Sequence, residues 1–134
     1  MAIKKIVFKN LSSILAYLAI GGIRFYDESG VMIPSGSPIS QLAQTGEFEN
    51  FLITANLTPY SDIYYPTYAF DTSKPQTGAT INGTGNFYWL SSSKTNGQLT
   101  CTFKNQVKYI GKIEFSPQVS TSTDRGVNLN FIIE

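Results

Sequence analysis

Histidine is absent from this 134-residue sequence, and cysteine occurs once, at Cys101. Without histidine the chain lacks the commonest general base and metal ligand, and it cannot form Ser-His or Cys-His nucleophile pairs. A lone cysteine cannot form a disulfide within the chain, and its place in an apolar-polar alternation predicts a buried thiol. The nine acidic residues are scattered rather than paired as in glycosidases. These absences predict a domain that is not an enzyme.

Charge is scarce as well, since Asp, Glu, Lys and Arg make up 14% of the residues, against about 25% in an average domain. Ten basic residues oppose nine acidic ones, and no basic run exceeds Lys4-Lys5. Binding to a phosphate backbone needs clustered positive charge, so a nucleic-acid partner is excluded. The surface must instead carry uncharged polar residues and tyrosine, which is typical of adhesive or assembled proteins.

Long hydrophobic runs are also missing. The most apolar segment, Leu11–Ile20, is too short to cross a bilayer, and no clean cleavage site for a signal peptide follows it. We therefore expect no membrane span. The segment is predicted to belong to the folded structure, as a turn or short helix over Leu11–Leu18.

Short apolar segments separated by Gly, Ser, Asn and Pro dominate the rest of the chain. They predict about eight short strands, with a turn at Asp27–Gly30 and loops over 34–50, 56–68 and 71–86. The predicted strands are Ile3–Phe8, Ile23–Tyr26, Val31–Ile33, Phe51–Ala55, Phe87–Leu90, Gln98–Phe103, Val107–Phe115 and Val127–Ile133. The expected fold is all-β, a jelly-roll β-sandwich of antiparallel strands in one domain over residues 1–134.

Four segments, in this order, resemble discoidin-like domains, the coagulation-factor type C and galactose-binding-like β-sandwiches of phage and bacterial surface proteins. They are Tyr17–Gly30 (YLAIGGIRFYDESG), Tyr68–Asp71 (YAFD), Tyr88-Trp89 with Ser91–Ser93, and the stretch from Gly97 through Val107–Phe115 to Val127. The resemblance covers residues 17–134. It implies two antiparallel layers that close around Phe70, Trp89, Ile110, Ile113 and Phe131.

The chain departs from that family in three respects, one of which is that few polar loop residues suited to sugar recognition can be carried over. The loop between Asp71 and Trp89 is longer than usual, and the sequence ends at Glu134, where family members usually continue. We therefore expect the sandwich to be closed by Ile3–Phe8 or by a partner chain. Residues 3–8 or 127–133 are predicted to form an intermolecular edge.

A tyrosine-rich loop is the candidate binding patch. Tyr60, Tyr64, Tyr65 and Tyr68 lie within nine residues, together with the stiffening prolines Pro59 and Pro66, and tyrosine offers flat apolar area with a polar tip. These rings either bind glycan or protein, or pack over the end of the sandwich. Tyr64 and Tyr65 are expected to be the most exposed, although neighbours in an extended chain point to opposite faces. The ligand-binding residues predicted from sequence are Tyr60, Tyr64, Tyr65 and Arg125.

Asp71 and Arg125 have two interpretations each. Asp71 is predicted to form an Asx turn, or, as the resemblance implies, to hold a loop through a calcium ion. Arg125 is predicted to pair with a carboxylate such as Asp71, or to contact a ligand. No other cofactor is expected.

The low charge and the resemblance together favour a structural or adhesion component of a virion, in a phage tail, baseplate, fibre or head decoration. Its expected partners are other virion proteins or further copies of itself, in a homo-oligomer, and host-surface carbohydrate. The alternative is an autonomous carbohydrate-binding lectin module of a bacterial surface or secreted protein.

Overall fold

The computed structural model describes residues 2–13, 17–61, 64–74, 88–93, 95–117 and 127–134, with the backbone alone for Pro117 and residues 127–129. Strands and turns make up most of this part of the chain. In chain order the elements are β1 Ile3–Ser13, β2 Ala19–Tyr26, β3 Pro38–Gln41, β4 Thr45–Phe48, β5 Phe51–Ala55, a 3-10 helix Pro66–Phe70, β6 Trp89–Leu90, β7 Gly97–Val107, β8 Lys112–Pro117 and β9 Val127–Ile133.

The strands form two antiparallel sheets. The larger sheet has six strands in the order β3-β4-β5-β7-β1-β9, and the smaller has three in the order β6-β2-β8. Residues from both sheets contribute to one hydrophobic core, as in a β-sandwich. The prediction of an all-β fold with two antiparallel sheets is confirmed. No helix among the described residues has the length and apolar character needed to cross a membrane.

An aromatic cluster lies at the centre of this core. The ring of Phe25 on β2 contacts the rings of four phenylalanines, three from the larger sheet and one from the 3-10 helix, with centroid separations between 5.3 and 6.4 Å. These four are Phe8, Phe51, Phe70 and Phe103. The sandwich is therefore held together largely by aromatic contacts between its two layers.

The core predicted from the sequence is correct for Phe70 and Trp89, both of which are fully buried. Ile110 and Ile113 are partly buried and pack against the core. The prediction for Phe131 is wrong, because its side chain is 45% exposed. Phe131 lies on β9 at the edge of the larger sheet, where a strand has a neighbour on one side only.

The first strand is longer than predicted. The segment from Leu11 was expected to turn or form a short helix, but β1 continues through Ser13, and Leu11 is fully buried. Asn10 has a positive φ of 52°, and the pairing register with both neighbouring strands shifts around it. This irregularity lets one strand continue along the sheet. Residues 14–16 lie outside the described part.

The segment 34–50 was predicted to be a loop, but it contains the hairpin of β3 and β4. Its polar residues suit an edge hairpin that is largely exposed. Conversely, Val31–Ile33 was predicted to be a strand and makes only one isolated bridge, between Tyr26 and Met32.

The turn at Asp27–Gly30 forms as predicted. Asp27 Oδ1 accepts hydrogen bonds from the backbone N–H groups of Ser29 (2.8 Å) and Val31 (2.9 Å). Gly30 has a φ of 80°, a conformation that glycine adopts without steric cost.

Cys101 on β7 is fully buried, and this burial raises the pKa of its thiol well above the ordinary value. An unfolded chain would release the thiol proton near pH 8.5, whereas the native chain keeps it. Above this pH the native protein therefore binds more protons than the unfolded protein does. As a result the free energy of unfolding falls as pH rises, by at most about 1.4 kcal/mol per pH unit. Urea unfolding at pH 8.5 and 9.5 should show this decline, and Cys101→Ala should reduce it. An equal decline in the variant would contradict the assignment.

Candidate functional site

Four tyrosine rings meet in a row at one end of the sandwich. Tyr17 contacts Tyr60 with 4.7 Å between ring centroids, Tyr60 contacts Tyr64 at 6.4 Å, and Tyr64 contacts Tyr88 at 5.0 Å. We call these four residues the tyrosine cluster. It brings together side chains from three separate segments of the chain.

Strand pairing places two of the four rings. Tyr17 lies two residues before β2 and Tyr88 directly before β6. These strands are antiparallel neighbours in the smaller sheet, where Ala19 pairs with Leu90. Ala19, Tyr88 and Leu90 form a small buried cluster of their own, against which Tyr17 and Tyr64 pack. The base of the tyrosine cluster is therefore fixed by the sheet.

Backbone hydrogen bonds hold the loop that carries the third ring. The Tyr60 N–H donates to the Leu90 carbonyl at 2.7 Å, and the Ser92 N–H donates to the Thr58 carbonyl at 2.9 Å. Pro59 forms an isolated antiparallel bridge with Ser91. The loop thus runs beside β6 like a short extra strand, which places the Tyr60 ring over Tyr17.

Exposure is graded across the tyrosine cluster. Tyr88 is buried, Tyr17 and Tyr64 are half-buried, and the Tyr60 side chain is 55% exposed. Tyr65 is also half-buried, so the prediction that Tyr64 and Tyr65 carry the most exposed rings is wrong. Tyr60 is the ring that can meet a partner, and the others support it.

The structure divides the tyrosines predicted from the loop into two groups. Tyr60 and Tyr64 belong to the cluster, whereas Tyr65 contacts Tyr68 at 6.1 Å. Tyr65 has an extended backbone, so its ring and that of Tyr64 point to different sides. Sequence reasoning missed Tyr17 and Tyr88, which join the cluster only through the pairing of β2 with β6.

Asp71 is buried at the end of the 3-10 helix. Its Oδ1 accepts a hydrogen bond from the Ser73 N–H at 2.9 Å, which is the Asx turn predicted from the sequence. The guanidinium of Arg24, a buried residue on β2, donates to the Lys74 carbonyl at 2.9 Å and is attracted electrostatically by the Asp71 carboxylate. Burial lowers the pKa of Arg24, and the negative charge of Asp71 partly offsets this.

These surroundings do not fit a calcium site at Asp71. One carboxylate oxygen is used by the turn, and the neighbouring positive charge of Arg24 would repel a cation. Within the described residues, no three acidic, cysteine or histidine side chains come together in a way that could hold a metal ion. Arg125, the predicted partner of Asp71, lies outside the described residues, so its pairing with Asp71 stays a prediction.

A concave pocket of about 520 Å³ lies at the opposite end of β2. Phe51 and Phe103 lie at its base, and Tyr109, with a side chain 62% exposed, lies on its rim. Asn105 Nδ2 donates to Asn50 Oδ1 at 2.9 Å within this pocket. Eight residues of β2 separate the pocket from the tyrosine cluster, a distance of about 25 Å, so the two surfaces are independent.

No protein-family model matches this chain. No curated protein and no solved structure matches it either. The resemblance to discoidin-like domains therefore rests on the four sequence segments.

Proposed function

We propose that this chain is a non-catalytic structural and adhesion domain of a virion, built on a discoidin-like jelly roll. The tyrosine cluster is its contact surface for host carbohydrate. The observation that carries the proposal is the exposed Tyr60 ring, supported from below by Tyr17 and Tyr64.

The chemistry of this surface suits a sugar. Aromatic rings offer flat apolar faces to the C–H face of a pyranose, while tyrosine hydroxyls at their edges exchange hydrogen bonds with its hydroxyl groups. A ring that is already packed loses little conformational entropy on binding. The tyrosine cluster meets these requirements without a deep cleft.

The larger sheet supports a role in an assembly. β9 has β1 as its only neighbour within the described residues, and Phe131, Ile132 and Ile133 on it are 43–45% exposed. Monomeric proteins usually protect such an edge with charge, proline or a covering segment. An open apolar edge and a sparsely charged chain both favour a protein that works in contact with other subunits.

The second candidate is an autonomous lectin module of a secreted or cell-surface protein. The tyrosine cluster supports this function as well as the first, because a single chain forms the whole cluster. A lectin module of this kind would be a monomer outside any particle, whereas a virion component would be found in purified particles.

Replacing Tyr60 with alanine tests the proposed contact surface. We expect binding to host-surface glycans on an array to weaken about tenfold, since the central aromatic of a small contact typically contributes more than 1 kcal/mol. Tyr109→Ala is the matched control, because it removes an equally exposed ring at the other end of the sandwich. Binding that survives Tyr60→Ala but is lost in Tyr109→Ala would contradict the assignment. An array on which the wild type binds nothing would refute the carbohydrate role.

A further inference from the structure

The hydrogen-bond pattern of β9 shows which backbone groups face the open edge. Lys5 and Glu134 exchange two hydrogen bonds, with Lys5 N to Glu134 O at 3.0 Å and Glu134 N to Lys5 O at 2.9 Å. From this pair the register with β1 runs without a shift to Lys9 and Asn130. Because such pairs alternate along an antiparallel ladder, the N–H and C=O groups of Phe131 and Ile133 point away from β1.

The sequence of β9 contains no residue of the kinds that usually prevent another strand from pairing with an open edge. The strand reads VNLNFII, without a charged residue or a proline. The nearest acidic side chain, that of Glu134, lies 3.2 Å from Lys5 Nζ of the same chain. The seven residues of β9 themselves therefore present no charge to a second strand.

We propose that the open edge of β9 pairs with β9 of a second copy of this chain, antiparallel and centred on Asn130. This register pairs all seven residues of the strand, Val127 opposite Ile133 and Leu129 opposite Phe131. The register shift between Lys9 and Ser12 places its extra residue on β1, so the alternation of β9 continues to Leu129. The outward backbone groups of Phe131 then meet those of the partner's Leu129. The result is one continuous sheet through both copies.

A second copy suits this edge because the strand is complementary to itself. In the centred register, the apolar positions 127, 129, 131 and 133 oppose one another, Asn130 meets its own counterpart, and Asn128 lies opposite Ile132. Identical uncharged strands bring no repulsion. The inference deepens the assembly part of the proposed function and rests on it, but it does not involve the tyrosine cluster.

The geometry makes a specific cross-linking prediction. The N–H and C=O groups of Asn130 point toward β1, so Asn130 and its counterpart form a non-hydrogen-bonded pair, with Cα atoms about 4.5 Å apart. That separation allows a disulfide, and Cys101 is buried and cannot compete. Under mild oxidation, Asn130→Cys should form a covalent dimer. Thr54→Cys, an exposed position on β5 in the same sheet, should stay monomeric on a non-reducing gel.

A proline at the edge provides the complementary test. The Ile133 N–H faces the open edge, so Ile133→Pro blocks the second strand without removing a hydrogen bond to β1. Light scattering of the full chain should give a dimer mass for the wild type and a monomer mass for Ile133→Pro, with matching circular dichroism spectra. If Ile133→Pro does not fold, the cross-linking of Asn130→Cys decides whether β9 pairs with β9 of a second copy.

A wild-type monomer at high concentration would overturn the inference, as would a dimer that survives Ile133→Pro. Cross-linking of Thr54→Cys as readily as Asn130→Cys would also overturn it. Glycan binding by the monomeric Ile133→Pro variant is measured separately. If the protein binds glycan through Tyr60 but does not dimerise, only the strand pairing is refuted. If it dimerises but binds no glycan, only the carbohydrate role is refuted.

Discussion

Replacing Phe25 with alanine is expected to lower the free energy of unfolding by about 3–5 kcal/mol, the usual cost of a buried Phe→Ala change. The Phe25 ring is fully buried and touches rings from the larger sheet and from the 3-10 helix, at centroid distances down to 5.3 Å. Its removal leaves a cavity between the two layers that the surrounding rings cannot fill. The free energy of unfolding of a small domain is only about 5–15 kcal/mol in total. A loss of this size should therefore be clearly measurable by urea unfolding.

Phe131→Ala is the matched control for this prediction. Its ring is 45% exposed and contacts Phe8 at 6.1 Å at the edge of the core. We expect it to cost less than half as much as Phe25→Ala. Equal losses in the two variants would mean that the aromatic core is not centred on Phe25.

Replacing Arg24 with methionine is expected to destabilise the protein by about 1–3 kcal/mol, because it removes the hydrogen bond to the Lys74 carbonyl and the electrostatic attraction to the buried Asp71 carboxylate. Methionine keeps most of the apolar length of the side chain, so the loss reports the charge and its hydrogen bonds. The hydrogen bond to the Lys74 carbonyl ties β2 to the turn after the 3-10 helix. The measurement is the free energy of urea unfolding at neutral pH.

Lys104→Met provides the control for this charge effect. Lys104 pairs with Glu47 at the surface, where both side chains are partly exposed, and such pairs contribute about 0–1 kcal/mol. A loss from Arg24→Met as small as that from Lys104→Met would contradict the prediction that the buried guanidinium stabilises the fold.

Much of the fold could be predicted from local patterns. Strands β5 and β9 follow from short β-rich segments bounded by turn residues, and the turn after Tyr26 follows from Asp27 and Gly30. The hairpin of β3 and β4 could not be predicted from local patterns, because an exposed hairpin at a sheet edge needs few apolar residues. The continuation of β1 past Asn10 depends on pairing with β7 and β9, which no local pattern shows.

The candidate site, like the fold, could be predicted only where it depends on local sequence. The density of tyrosine in one loop indicated Tyr60 and Tyr64, whereas Tyr17 and Tyr88 reach them only through the pairing of distant strands. The Asx turn at Asp71 is local and was foreseen. The hydrogen bond from the buried Arg24 to the Lys74 carbonyl was not predicted, because Arg24 lies between apolar strand residues and its burial depends on tertiary packing.

We propose that the tyrosine end of the sandwich is the surface that contacts carbohydrate. The most direct test is ¹⁹F NMR of protein labelled with 3-fluorotyrosine at its eight tyrosines, titrated with a soluble glycan that binds on the array. We predict that the signals of Tyr60, Tyr17 and Tyr64 shift while that of Tyr109 stays in place. Shifts at Tyr109 with an unchanged Tyr60 would contradict the account and move the contact surface to the pocket at the other end.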